Sequence, residues 1–313
     1  MKFLVILLAL SVNHYWDRDR VLPVDAWYRD FAIGLRQRLT ERGGGSHWYF
    51  GMAALVPALL LLLLLSLVDG VLLGLVSVCV HVLLLLCLFD PQNLRAWLAG
   101  YVQRWRAGDF EAAFLCLQQR WPGLRLDSGD DLEAVHGQCC RYVLMSSFER
   151  LFAVLFWYLV TGPVGAVVYY SLVQLRALAL AEGDWDTQGW PSRLLFLLEW
   201  VPARLLGLTF SLAGDFEAGF QCLRSCCFDT TRSATSVVLS CAKAATGNAS
   251  KTLFIHDSAA ADATVIIDMD AGSDAPSAAA MEAQLLSLLS LTERSQIIWV
   301  AALAVFVVAG IGT

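Results

Sequence analysis

Two uncharged runs stand almost back to back in this chain, residues 51–68 and 71–89, with only Asp69 and Gly70 between them. A bilayer crossing needs roughly 20 apolar residues at about 1.5 Å each, so each run fits one span. Only helices and closed barrels satisfy their own backbone in lipid, and Asp69-Gly70 is too short for anything but a tight turn. The pair is therefore predicted as a transmembrane helical hairpin. A buried core hairpin of a soluble protein would show a polar stripe, whereas residues 59–65 are leucine throughout. The chain is 58% apolar and 16% charged, outside the usual range of soluble domains, and its net charge of −6 argues against nucleic-acid binding. The class predicted is all-α, a polytopic integral membrane protein with amphipathic cytoplasmic helices.

Further apolar segments extend this reading. Residues 297–311 form a C-terminal candidate, with Trp299 suited to an interface. Residues 151–175 are apolar but interrupted by Thr161-Gly162-Pro163-Val164-Gly165, which permits a kinked span or two half-helices that dip and return. The apolar N-terminus at 3–10 resembles a signal peptide. Arg18, Arg20, Arg29, Arg36, Arg38 and Arg42 come after it, so it is expected to be retained. These arginines, with Arg95, Arg104, Arg106, Arg120, Arg125, Arg141 and Arg150, flank the hairpin on its open side, which reads as cytoplasmic. The expected division is 1–49, an apolar helix and an Arg-rich cytoplasmic helix; 50–89, the hairpin; 90–148, cytoplasmic helices; 149–213, a broken membrane region; 214–245, cytoplasmic helices; 246–294, an acidic mobile segment; and 295–313, a transmembrane helix.

One repeat is visible: residues 107–117 read AGDFEAAFLCL and residues 213–223 read AGDFEAGFQCL. Asp109 and Asp215 can cap new helices, with Glu111 and Glu217 in the electropositive first turn. Capping alone accounts for these acids; a pair of acidic motifs facing one ligand is the functional alternative. Residues 245–252 imitate a phosphate loop, but Ser250 stands where glycine is required. The dozen residues before the acidic run at 265–268 are too few for a crossover. Two short strands, 253–255 and 265–267, in a solvated acidic linker are the expectation there. Residues 256–282 carry six acids and no lysine or arginine. His136, Cys139 and Cys140 in one arm, with Cys222, Cys226 and Cys227 in another, could together offer soft-metal ligands. Adjacent cysteines diverge on a helix, so buried free thiols are the preferred reading and no metal or other cofactor is expected. His81, inside an uncharged run, reads as a satisfied interior histidine or as a proton relay.

The stretch 190–208 holds Arg193, Glu199 and Arg204 in otherwise apolar sequence, with Pro202 between the last two. An isolated charge at membrane depth is costly, so these groups should find partners. Arg204 is expected to pair with an acid of another helix, such as Glu149, or with an anionic head group, and Glu199 with a separate partner. Trp200-Val-Pro-Ala-Arg-Leu, preceded by Ser192-Arg193-Leu194, resembles a signature of the CobD/CbiB membrane superfamily. A second resemblance lies in Ala153-Val-Leu-Phe-Trp157 with Gly162-Pro163-Val-Gly165. The whole pattern is most similar to the AmpE branch, over most of 1–245 and 283–313.

That resemblance implies an inner-membrane, multi-pass regulatory protein of β-lactamase induction and the response to cell-wall antibiotics. Its partners would be the lipid bilayer, an anionic lipid or cell-wall-derived ligand, or another protein of that induction pathway. The ligases of the superfamily make adenosylcobinamide phosphate and carry two aspartates directly after the Arg-Leu. Here those places are Leu195 and Phe196, so Mg²⁺-dependent ligation by that route is not expected. A related membrane enzyme and a structural scaffold stay open as alternatives.

Overall fold

The structure, a computed structural model, describes residues 2–15, 24–41, 46–68, 75–89, 94–121, 132–182, 189–247 and 278–308. Among these residues every regular element is helical. Five helices are long and apolar enough to cross a membrane, at Tyr49–Leu67, Leu132–Thr161, Pro163–Ala181, Trp190–Ala213 and Ala279–Val305, with a shorter apolar helix at Val76–Leu88. The molecule is an all-α polytopic membrane protein. The hairpin turn at Asp69-Gly70, the phosphate-loop look-alike from 248 onward, the two predicted strands and Arg18, Arg20, Arg42 and Arg125 lie outside the described residues.

Contacts divide the chain into two compact units. The first comprises Met1–Asn93, Ser147–Pro202 and Val300–Thr313. It contains α1 (Lys2–Tyr15), α2 (Val24–Glu41), α3 (Ser46–Val68), α4 (Leu75–Leu88), a π-helical turn (Phe148–Phe152), α8 (Ala153–Thr161) and α9 (Pro163–Glu182). Helix α9 packs on α2, α3, α4 and α8. Helix α3 meets its neighbours through Ala53, Ala54 and Ala58, all buried, whose small side chains allow close approach. Its leucines Leu59, Leu60, Leu63 and Leu67 are more than half exposed, as lipid-facing residues should be.

Prolines inside two helices show how this unit meets its backbone obligations. Proline has no N–H, so the carbonyl four residues earlier loses its helical donor. Pro57 of α3 leaves Ala53, and the Tyr28 hydroxyl donates to that carbonyl at 3.1 Å. Pro202 lies in the helix Trp190–Ala213 (α10) and leaves Leu198, whose carbonyl accepts the Trp157 indole N–H at 3.1 Å. Both helices therefore run on through their prolines.

The second unit comprises Leu94–Ser146 and Ala203–Trp299. It contains α5 (Leu94–Arg106), α6 (Phe110–Arg120), α7 (Leu132–Ser147), the end of α10, α11 (Phe216–Cys226), α12 (Ala234–Thr246) and most of α13 (Ala278–Val308). Along α5, Trp97, Tyr101 and Trp105 stack at four-residue spacing, and Phe110 closes edge-on against Trp105. Helices α11 and α12 pack against each other. Gly219 lets α11 approach the end of α10 closely, since a Cβ there would lie 2.8 Å from Ser211 Oγ.

Three features differ from the sequence reading. The sequence makes 90–148 cytoplasmic throughout, yet Leu132–Thr161 is one apolar helix long enough to cross. Its buried face of Val135, Cys139, Val143 and Leu144 carries the pattern N-terminal to Leu151. Gly162 lies between this helix and Pro163–Ala181, each long and apolar enough to cross by itself. It adopts φ +81° at the corner between two full-length helices, and Pro163 starts the second in the position where proline is best tolerated. The acidic segment 246–294 reads as mobile from its composition, but α13 begins at Ala278, and Met281, Leu285, Leu288 and Leu291 bury one face of it.

Candidate functional site

Charges in the first unit converge on Arg176, in the middle of an apolar helix. Arg176 Nη2 lies 2.6 Å from Glu149 Oε1, and Nη1 lies 3.0 Å from Glu199 Oε1. Glu199 is 5% exposed, and the fully buried Tyr169 stands beside it. One guanidinium forks between two carboxylates from different helices, the geometry for which arginine's planar donors are suited. With both glutamates ionised the trio carries one net negative charge.

A second polar chain runs alongside. Arg150 grips Asp25 of α2 with two parallel bonds of 3.0 Å. Tyr170 and Gln174 also donate to Asp25 Oδ1, and the Arg150 guanidinium lies 5.3 Å from the Tyr170 ring centroid. The π-helical turn explains how neighbouring residues serve both chains. Its wider winding lets Glu149 reach α9 while Arg150 reaches α2; such turns are frequent at functional sites. His81 is satisfied in the same unit, its Nδ1 being 2.8 Å from the Tyr158 hydroxyl.

Several expectations are corrected. Glu149 and Glu199 share Arg176, so Glu149 is not the partner of Arg204, whereas Glu199 does have a partner separate from that of Arg204. Arg204, in the second unit, donates from Nε to the Cys227 carbonyl at 2.8 Å and from Nη2 to the Asp229 carbonyl at 2.6 Å. The physical reason is that α11 ends at Cys226, and a helix C-terminus offers orphan carbonyls with partial negative charge. An arginine can be satisfied there without a carboxylate. Arg193 is exposed at the start of α10 and lies outside the Arg176 cluster; Pro202 is buried beneath the Trp157 contact.

The repeat copies both begin helices. Asp109 Oδ1 accepts from the Ala112 N–H at 3.0 Å and Asp215 Oδ1 from the Ala218 N–H at 3.1 Å, with Glu111 and Glu217 in the first turns. Capping accounts for the aspartates.

The thiols regroup. His136 faces Gln284 at 3.1 Å and Cys140 at 3.5 Å, and Cys139 is buried nearby. Among the described residues, however, the close group is Cys222, Cys226 and Cys241, whose sulfur atoms lie within 4.8 Å of one another. The expected six-residue set of His136, Cys139, Cys140, Cys222, Cys226 and Cys227 is thus not brought together, because Cys226 faces α12 while Cys227 points its carbonyl to Arg204. Sulfhydryl bonding within the group lowers the Cys226 thiol pKa and raises those of Cys222 and Cys241.

Sequence reasoning missed Asp25, Tyr169, Tyr170, Gln174, Arg176 and Cys241. Arg176 could have been found, since a lone arginine within an apolar run is the signal that singles out Arg204. Cys241 could not, because nothing local links it to α11.

Comparison with known proteins gives the same placement. The sequence matches, over residues 35–261, the family described as regulatory signalling modulator protein AmpE. Two proteins named cobalamin biosynthesis protein CobD are similar over shorter stretches. That of Stutzerimonas stutzeri is 33% identical over 97 residues, 30% of this chain and 32% of the relative. That of Chromobacterium violaceum is 36% identical over 85 residues, 26% of this chain and 27% of the relative. The chain spans about a third of the length of these curated relatives. No solved structure matches it. With most of its length accounted for by one family, this chain belongs to the AmpE family of regulatory signalling modulators.

Proposed function

We propose that the chain is a bacterial inner-membrane regulator that modulates β-lactamase induction and the response to cell-wall antibiotics, without catalysing a reaction. The observation that carries this reading is the family match over residues 35–261, together with the state of the carboxylates beside the signature. Glu149 and Glu199 are both engaged by Arg176, and Leu195 and Phe196 occupy the places where the ligases hold aspartates. A phosphate-transferring site needs carboxylates free to hold Mg²⁺ on its substrate. An internally paired cluster instead suits a protein whose work is done by conformation and contact.

Deletion of the gene in the parent bacterium should change the β-lactamase induction curve or the recovery from a cell-wall antibiotic. An unchanged curve across several inducers would remove the regulatory reading. The similarity to CobD proteins gives the experiment its second arm: a cobinamide-dependent growth defect in the deletion strain would restore the enzymatic one.

A further inference from the structure

We propose that Cys222, Cys226 and Cys241 form a binding site for a thiophilic divalent cation of the Zn²⁺ class, with the three thiolates as its protein ligands. Cys222 and Cys226 are four residues apart on α11 and so share a face. Cys241 comes from α12, which packs on that helix. Their sulfur atoms lie within 4.8 Å of one another. Tetrahedral zinc with bonds of about 2.3 Å spaces its sulfurs by about 3.8 Å, so rotamer adjustment of about 1 Å closes the trio around an ion. Cys226 and Cys241 are buried and Cys222 is half-buried, which leaves one side open for a solvent ligand in the fourth position.

The surroundings are shaped for sulfur and for negative charge. Gly207 of α10 lies behind Cys241, and a Cβ there would come to 3.0 Å from its sulfur. Three thiolates around a divalent ion leave one negative charge. Arg204 is held on the Cys227 and Asp229 carbonyls at the end of α11, within electrostatic reach of Cys226 and Cys241. Arg232 acts likewise on Cys222 and Cys226. The Cys226 thiol donates to the Cys222 carbonyl at 2.7 Å, a bond that coordination would replace. Packing explains why a single cysteine is buried. It does not call for three sulfurs from two helices in one place.

The internal repeat supplies a control. Cys116 is the counterpart of Cys222, but the position four residues on, Cys226 in the second copy, is Arg120 in the first. The first copy therefore lacks the four-residue thiol pair.

The experiment uses the full chain, reduced and kept anaerobic in detergent. Zn²⁺ is titrated against a chromophoric chelator, and Co²⁺ is substituted as a spectroscopic probe. The wild-type chain should bind a single ion and show thiolate-to-cobalt charge-transfer absorption. Losing a direct ligand should exceed the 10–100-fold typical of outer-shell changes, so Cys222→Ser and Cys241→Ser should each weaken binding by more than about 100-fold. Cys116→Ser and Cys227→Ser should leave it unchanged. Because Cys241 is buried and its variant could misfold, the half-buried Cys222 carries the decisive comparison. The proposal is overturned if wild type binds no more Zn²⁺ than the triple serine variant, if the cobalt spectrum lacks thiolate absorption, or if Cys116→Ser weakens binding as much as Cys222→Ser.

Discussion

At the residue scale, one side chain ties three elements of the first unit together. Arg176 bridges the buried Glu199 carboxylate and the half-buried Glu149 carboxylate, which belong to two other elements. Removing one member of a buried ion pair leaves an uncompensated charge, which costs about 3 kcal/mol or more. Arg176→Ala should therefore destabilise the detergent-solubilised protein by at least that amount, measured by thermal or denaturant unfolding. Arg176→Lys should recover only part, because an ammonium lacks the fork that reaches both glutamates; full recovery by lysine would show that geometry is unimportant here. A second test concerns Trp157. Trp157→Phe should cost about 1–3 kcal/mol by leaving the Leu198 carbonyl without its donor. Pairing that change with Pro202→Ala restores a backbone N–H to the same carbonyl, so the double variant should regain much of the loss. Additive losses in the double variant would count against this account.

At the element scale, the helices are largely readable in the sequence, and their limits are not. The leucine runs, the Gly162 corner and the two aspartate caps come from spacing and local chemistry that any window of sequence displays. The start of α13 at Ala278 is hidden because its acids and serines resemble a linker; only the positions of Met281, Leu285 and Leu288 disclose a face. The site is less legible still. Arg204 stands out by its charge, but its acceptors are carbonyls of a turn, which no sequence pattern marks as receptive. Glu149 and Arg150 are visible as charges, yet which helix each addresses depends on the π-helical turn between Phe148 and Phe152. An inserted residue of this kind rotates the downstream helix by about 100° relative to regular winding. Deleting a single residue from 148–152 should relax the turn and disconnect Glu149 from Arg176 or Arg150 from Asp25. Its stability loss should match Arg176→Ala or Arg150→Ala, whereas a loss within a few tenths of a kcal/mol of wild type would mean that the turn is incidental.

At the scale of the whole molecule, the chain combines lipid-facing leucine with a few buried polar clusters, whose charged side chains find hydrogen-bond partners within the chain. The family match runs through residues of both units, so neither is an appendage peculiar to this chain. The prolines of α3 and α10 have a consequence for how the chain is assembled. Each helix arrives with an acceptor it cannot satisfy, so neither is complete as a free-standing span. In both cases the residue that repairs the defect is translated first: Tyr28 precedes Pro57, and Trp157 precedes Pro202. A chain synthesised from its N-terminus therefore has the missing donor already made when each deficient helix emerges. The order of the sequence is itself an assembly instruction, and a circular permutant that reversed either pair would have to insert a helix before its mate exists.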